Sequence, residues 1–500
     1  MNGRSYWQLD PDLKNILPRA WKAWELYRED LAAFSGFAKE AHSFEPGLEV
    51  IAEDAQGNAT DRSQMAPELG AYLKGLSPLL RAPFEGRGWP YFFTATYLLA
   101  NPGWNYLLGS TAGTVFLLSK YAPELSSLRA LLQGGGAWTV QWLTLPGQAQ
   151  AHPQDQIWRL TGKYDYAPGI GLADYVLLSG GYGGEDRPLF VLPRRNHRGR
   201  LNYRTEPRPP SPQMPWGAAY LEEAEAYLLG KPEEGGHYLA EILAVDNLTQ
   251  ALSWAGLGRH LQLGAVLLLE VGTGGTPALR YALTDWAVRL AGSLALSLRA
   301  MATWDKTRQE YPPYENAFLA QFLAKLAKLR AAQHAAALAQ GVQEALGGVG
   351  VVQNPKLAAL ITQAQNLPLW QGAVHAEAAS GVELLLGRRV AAPFQADFVA
   401  RLQAARQNEA SITAEILSQT LDHLLKMSPK EALWHGPDTL CRLADAAAVA
   451  LLYDLAATGG DRYAKLAELY ARHFVRGEPY PSWAMNEPGL WGVSPRASSS

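Results

Sequence analysis

Residues 134–145 read GGGAWTVQWLTL, and the fold turns on them. Three consecutive glycines end a helical pattern. The alternation from Trp138 to Leu145 then begins a strand pattern, with side chains pointing to opposite faces in turn. Downstream, Gln156–Gly162 (QIWRLTG), Tyr175–Ser179 (YVLLS) and Pro188–Leu192 (PLFVL) are short β-type runs bounded by Gly and Pro. Asp174–Gly184 reads as a strand followed by a tight glycine turn, and Arg194–Pro215 as loop with an edge strand. Residues 134–230 therefore form a β domain.

Upstream of it the spacing is helical. A Pro/Asp start signal opens Asp10–Ile16, and Trp21, Trp24, Tyr27, Leu31 and Phe34 predict one helix over Arg19–Phe37. Met65–Leu80, Gly88–Leu99 and Leu107–Leu118 continue the pattern. The last carries Ser110 and Thr114, as a buried bundle helix would. Downstream, Glu234–Leu269, Pro277–Trp304, Pro313–Leu346, Asn354–Leu367, Ala373–Leu386, Phe398–Met427 and Asp438–Phe474 are predicted helices. Gly477–Ser500, rich in Pro, Gly and Ser, is expected to be extended and partly mobile. The expectation is a mainly α protein with a central β domain: residues 1–133, 134–230, 231–385, and an appended helical region and tail over 386–500.

Composition narrows the function classes. With 48% apolar residues, 18% charged residues and a net charge of −3 over 500 residues, the chain is neither disordered nor dominated by a nucleic-acid-binding surface. The lone Cys441 excludes an intramolecular disulfide and a Cys-based zinc cluster. The scattered histidines form no metal-ligand pair, so no metal is expected. No apolar run is long enough to span a bilayer and Met1–Asn15 has no signal core, so a cytoplasmic location is expected. HExxH, P-loop and GxSxG motifs are absent. One basic cluster stands out: Arg187, Arg194, Arg195, Arg198, Arg200, Arg204 and Arg208. Guanidinium forks suit phosphates of DNA, a nucleotide cofactor or a CoA tail, but an Arg-rich loop is equally a solvated or ion-paired surface.

Several segments, taken in order, resemble the acyl-CoA dehydrogenase family. Gln156–Pro168 (QIWRLTGKYDYAP) is similar to its β-domain strand pair, and Tyr227–Gly236 (YLLGKPEEGG) to the close of that domain. Asp246–His260 (DNLTQALSWAGLGRH) resembles the first long helix of its C-terminal bundle. Leu346–Gly350 (LGGVG), followed by Trp370-Gln371-Gly372, resembles the family's GGxGY and WEG turns. Tyr6–Lys14 (YWQLDPDLK), Glu53–Arg62 (EDAQGNATDR) and the helices after about residue 385 are similar to the alkylation-response (AidB-like) branch.

The resemblance implies FAD-dependent α,β-dehydrogenation of acyl thioesters, acyl-CoA as ligand, and a homo-oligomer (dimer or tetramer). It places Thr144, Tyr166, Gly347, Gly348, Gly350, Trp370 and Gly372 at cofactor-contacting positions. The usual catalytic Glu position is Gln371, whose amide cannot take a proton at neutral pH. The alternative base position of the family, on the first long bundle helix, is Asp246, which could equally be a helix-capping acid. The pyrophosphate-gripping segment corresponds to Leu269–Pro277 (LEVGTGGTP), which has no Arg or Phe, and Thr362 and Gln363 stand where the family has an arginine and an acid. Two readings follow, a flavoenzyme with Asp246 as base and a non-catalytic descendant used as a scaffold. In a third, Arg194, Arg195, Arg198 and Arg200 hold nucleic acid, as in the alkylation-response branch.

Overall fold

The computed structural model describes residues 5–41, 49–53, 59–64, 67–143, 149–154, 157–183, 187–208, 214–269, 276–312, 314, 316–353, 355–366, 374–387 and 390–492. In chain order the helices and strands begin with α1 (Tyr6–Leu9), α2 (Leu13–Ala20) and α3 (Arg28–Ala38). A hairpin of β1 (Glu49–Glu53) and β2 (Ala59–Gln64) follows, then α4 (Pro67–Leu76), α5 (Pro78–Arg81), α6 (Gly88–Leu99), α7 (Pro102–Tyr121) and α8 (Ser126–Gln133). The central sheet contains β3 (Thr139–Trp142), β4 (Gln150–Gln154), β5 (Ile157–Pro168), β6 (Tyr175–Ser179), β7 (Leu189–Pro193), β8 (Arg204–Pro207) and β9 (Trp216–Leu229). Helices then run to the end: α9 (Gly235–Leu268), α10 (Pro277–Thr307), α11 (Ala317–Gln353), α12 (Pro355–Gln365), α13 (Val374–Gly387), α14 (Ala391–Ala405), α15 (Asn408–Lys426), α16 (Pro429–Gly459) and α17 (Asp461–Tyr470). The fold is mainly helical with a central sheet, as expected.

The chain sorts into two compact units. One comprises Met1–His42, Phe93–Ala100 and Gln250–Ser500; the other comprises Ser43–Phe92 and Asn101–Thr249. Helices α6 and α9 contribute residues to both.

In the second unit the strand order is β3-β6-β7-β9-β5-β4, with β8 also on β9. Among the described strand pairs β3–β6 alone is parallel, and Gln150 makes one further parallel bridge to Gly181. The sheet curls on itself, because Ala151 N–H donates to Gly181 O (2.9 Å) and Gly181 N–H to Ala149 O (2.8 Å). Curling leaves β3 with one unpaired edge, a liability in any sheet, and α7 covers it. Gln141 N–H donates to Tyr106 Oη (3.0 Å), while the Tyr106 hydroxyl donates to Gln141 O (2.7 Å). Thr139 N–H donates to Thr111 Oγ1 (3.0 Å). Helix α7 is buried from Pro102 to Leu118 because it packs on this sheet edge as well as on the start of α9. A Cβ on Gly109 would lie 2.8 Å from Thr249, and one on Gly113 2.3 Å from Ile242, so these glycines let the two helices approach. Among the described residues no helix is long and apolar enough to cross a membrane.

In the first unit, the expected helix Arg19–Phe37 is interrupted. α2 ends at Ala20, Lys22–Tyr27 tightens into a 3-10 stretch, and α3 starts at Arg28. The predicted helix Phe398–Met427 is likewise two helices, broken at Arg406, which takes a left-handed conformation (φ 54°). The segment Asp438–Phe474 starts earlier, at Pro429, where Ser428 and Glu431 form a capping box, and it breaks at Gly460 (φ 88°). The tail is packed as far as residue 492 rather than extended. Tyr480 donates to Asp285 Oδ1 (3.0 Å) and Trp491 Nε1–H to Thr284 Oγ1 (3.2 Å), both on α10.

Deep in this unit lies a charged cluster. Asp10 Oδ1 accepts from the backbone N–H of Asp12 (2.8 Å) and Leu13 (3.2 Å), starting α2. Tyr97 donates to Asp10, and Arg259 of α9 pairs with both Asp10 and Asp12. Arg462 and Tyr463 of α17 bind Asp12 as well. Four segments distant in sequence meet at two carboxylates from which water is excluded.

Candidate functional site

Helix α9 carries an unusual load of buried polar residues: Asp246, Asn247, Thr249, Gln250 and Ser253 are at most 3% exposed. Asp246, Gln250 and Ser253 recur at i, i+4 and i+7, one face of the helix. Asp246 is completely buried. The helix begins at Gly235, about three turns earlier, so Asp246 is an interior residue and the capping alternative fails. Beside it, Asn247 Oδ1 is buried with no donor among the described residues.

Helix α7 adds to this polar set within the second unit. Its contacts at Gly113 with Ile242 and at Gly109 with Thr249 bracket the level of Asp246. Two donors on α7, Trp104 Nε1–H and Ser110 Oγ–H, are buried with no acceptor among the described residues. An unpaired buried polar group costs about 1–3 kcal/mol. Three on two packed helices are costly to keep, unless a polar ligand or water completes them. Nearby on the same two helices, Lys120 pairs with Glu241 Oε1 (2.5 Å), to which the Tyr121 hydroxyl also donates (2.9 Å).

The remaining expected site residues divide as follows. Tyr166 is half-buried on β5, its ring 5.5 Å from that of Trp216 on β9, and burial pushes its phenol up to about 12. It is therefore a neutral donor at any physiological pH. The pair offers an aromatic wall of the kind a flavin ring requires. In the first unit, Gly347 adopts φ 57°, ψ −153° and kinks α11, with Gly350 in the run that follows. Space is open around the Cα of Gly347 and of Gly348, which leaves their backbone approachable. Thr144, Trp370, Gln371 and Gly372, with most of Leu269–Pro277, lie outside the described residues.

The arginine cluster is held largely by its own hairpin. Arg194 reaches Gly171 O (3.4 Å) and Asp174 (4.0 Å), and Arg195 folds back on Gly199 O (2.7 Å). Arg198 Nε–H faces His197 Nε2 (3.2 Å), and the other ring nitrogen of His197 lies 2.7 Å from Glu225. Arg200 donates its backbone N–H to Asn196 Oδ1 (3.0 Å) and is exposed. Arg204 lies over the Tyr220 ring (4.2 Å), and Arg208 is 4.0 Å from Glu206.

Sequence reasoning missed a buried ion triad in the first unit. Glu377 of α13 lies 2.7 Å from Lys328 and 3.2 Å from Lys325, both on α11. Burial pushes the Glu377 carboxyl up, but the two ammonium groups outweigh it and leave it at about 2. So low a value makes Glu377 a poor proton acceptor. The i, i+3 spacing of Lys325 and Lys328 within an apolar helix was the available signal.

No protein-family profile matches the chain, and no curated protein matches it. Solved structures do. ACDH-11 of Caenorhabditis elegans, crystallised with C11-CoA, is 18% identical, with 95% of this chain and 91% of that one covered at a TM-score of 0.77. An acyl-CoA dehydrogenase of Bacillus anthracis complexed with FAD is 13% identical over 92% and 87%, at 0.68. Butyryl-CoA dehydrogenase of Megasphaera elsdenii is 17% identical over 69% and 95%, at 0.54. The chain has the acyl-CoA dehydrogenase fold and is longer than the butyryl-CoA enzyme.

Proposed function

We propose that this protein is an acyl-CoA dehydrogenase-like flavoprotein that removes the α-proton of an acyl thioester with the Asp246 carboxylate. One observation carries the proposal: Asp246 is fully buried in the interior of α9, at the level bracketed by α7, next to an orphaned Asn247 carbonyl. A carboxylate placed there gains the helix nothing as a cap, and acidic side chains are almost never fully buried without a specific reason. Such placement is characteristic of groups kept for chemistry.

A dry site favours the reaction. The α-proton of a thioester is weakly acidic, so the base must be held close and the negative charge that develops on the thioester oxygen must meet fixed donors. Trp104 Nε1–H and Ser110 Oγ–H are the uncommitted donors on the helix packed against α9, and we assign them to the polar end of the thioester. Asp246 Oδ would take up the proton. FAD, when bound, would accept the hydride leaving the β-carbon. Tyr166 and Trp216 would wall its ring, with the phenol staying protonated. Assembly as a dimer or tetramer and a place in the alkylation-response branch belong to the same proposal. The arginines at 194, 195 and 198 are committed locally, which favours the thioester over DNA as ligand.

The test is exchange of the α-proton. FAD-loaded protein is incubated with an acyl-CoA in deuterated water, and label at the α-carbon is read by mass spectrometry. Incorporation is expected for the native chain and should fall about 10²–10⁴-fold in Asp246→Asn. Equal incorporation by both would remove Asp246 as base. A protein that binds neither FAD nor acyl-CoA would instead support a non-catalytic scaffold.

A further inference from the structure

A second surface lies in the first unit, along the hairpin of α15 and α16. The two helices run antiparallel on either side of a turn at Met427 and Ser428, so Ile412 of α15 lies near the level of Arg442 of α16. An open groove of about 990 Å³ runs between them. His423, Met427 and His435 line its mouth at the turn, and Ile412, Val475 and Arg476 its far end. Trp434 stands at the mouth beside His435 and is 82% exposed, with Leu425 and Leu433 exposed at the same corner. Between mouth and far end, Asp438 and Arg442 line the groove. They sit at i and i+4 on the helix face that also carries Trp434. Both are exposed, and neither makes an ion pair or hydrogen bond among the described residues.

We infer that this face binds the same face of a second copy of the chain, with the two α16 helices antiparallel. Each Trp434 then enters the Ile412–Val475 end of the other groove, and each Asp438 meets the other Arg442. A two-fold contact needs a knob and a hole on one patch, matched to each other under the rotation. Here a single axis at the level of Leu440 serves both pairings. Asp438 and Arg442 stand two residues to either side of it, and Trp434 stands six residues before it. Trp434 thus reaches the partner about six residues beyond the axis, close to where Ile412 and Val475 end the groove. A Trp leaving water for a pocket is a common anchor of such interfaces. Charge also favours a second copy. Asp422, Lys426, Lys430, Glu431, Asp438 and Arg442 balance at this corner, which suits a surface of the same mixed pattern and offers an anionic bilayer no net attraction. The inference rests on the assembly part of the reading above, whose face it names, and not on the thioester chemistry.

Sedimentation equilibrium of the full chain tests it, with circular dichroism to confirm that each variant keeps its helices. Trp434→Ala should halve the mass of the native assembly. Asp438→Arg should also halve it, by setting arginine against arginine across the axis. Adding Arg442→Asp in the same chain should restore the native mass, a rescue that a folding defect cannot produce. An assembly that Trp434→Ala leaves intact, or a double variant that stays dissociated, would overturn this face while leaving assembly through another surface in place. A native chain that sediments at 54.5 kDa would overturn assembly as well. If that single chain also co-sediments with phosphatidylglycerol vesicles, the surface belongs to a bilayer instead. None of these outcomes touches the test of Asp246, which reads α-proton exchange.

Discussion

Asp12 and Arg259 stand 247 residues apart and form an ion pair in which neither side chain is more than 1% exposed. Around it, Arg259 also reaches Asp10, while Arg462 and Tyr463 reach Asp12. Burial pushes the Asp12 carboxyl up, but Arg462 and Arg259 outweigh that and leave it at about 2. The cluster fixes the start of the chain to α9 and α17 at one point. Removing Arg259 leaves buried Asp10 with no cation and Asp12 with Arg462 alone, so Arg259→Met should cost about 3–5 kcal/mol. Urea unfolding measures this. A loss below about 1 kcal/mol would mean that water reaches the cluster.

The edge of the central sheet gives a second prediction. Tyr106 both donates to and accepts from Gln141 of β3. Tyr106→Phe keeps the ring and leaves a buried N–H and a C=O unsatisfied, at a cost of about 1–3 kcal/mol. Amide exchange at Gln141 should accelerate selectively. Unchanged exchange there would show that the strand edge has another partner.

Two glycine substitutions should act in opposite directions. A Cβ on Gly256 of α9 would lie 2.0 Å from the Tyr97 carbonyl oxygen, a backbone atom that cannot move aside. Gly256→Ala should therefore destabilise by about 1–3 kcal/mol through overpacking. Gly36, inside α3, has nothing within 4 Å of the added atom, and Gly36→Ala should stabilise by about 0.5–1 kcal/mol. Thermal melts of the pair would show both signs.

Acid stability should depend on Glu377. Its carboxyl is lowered from 4.5 to about 2 by Lys328 and Lys325 against the opposing effect of burial. A depressed carboxyl contributes stability that is complete above the unfolded value and lost as the pH falls from about 4.5 towards 2. The shift corresponds to about 3 kcal/mol. Glu377→Gln should lose about that much at neutral pH and show a shallower decline in that window, where Asp12 still titrates. An unaltered slope would contradict the ion triad.

The sequence made the helix–sheet–helix order legible because glycines and alternation mark its boundaries. Gly134 follows α8, and β9 ends at Leu229 one residue before Gly230. Local pattern failed where distant contacts overrode propensity. Most of β9, WGAAYLEEAEAYLL, contains residues that favour helix, yet it pairs with β5, β7 and β8 as the spine of the sheet. The break at Arg406 was invisible because a non-glycine residue adopts the left-handed turn. The start of α16 was readable in SPKE at Ser428–Glu431, but the Pro437 inside the helix masked it.

The site was legible in part. Asp246 was reached through the family resemblance alone, as the alternative base position on the first long bundle helix, and the structure removes its capping alternative by starting α9 at Gly235. The orphaned groups Trp104, Ser110 and Asn247 could not be found beforehand. A hydrogen bond left unmade has no sequence signature, and their pairing across α7 and α9 depends on tertiary packing. The Asp12–Arg259 hub was equally hidden, since no local spacing links residues so far apart.

The most direct test of the account is the flavin absorbance of the FAD-loaded protein when an acyl-CoA is added without oxygen. The native chain should bleach. Asp246→Asn should keep its flavin band and bleach about 10²–10⁴ times more slowly. Bleaching of Asp246→Asn at the native rate would contradict the assignment of the base, and a native chain that takes up no FAD would contradict the proposed function itself.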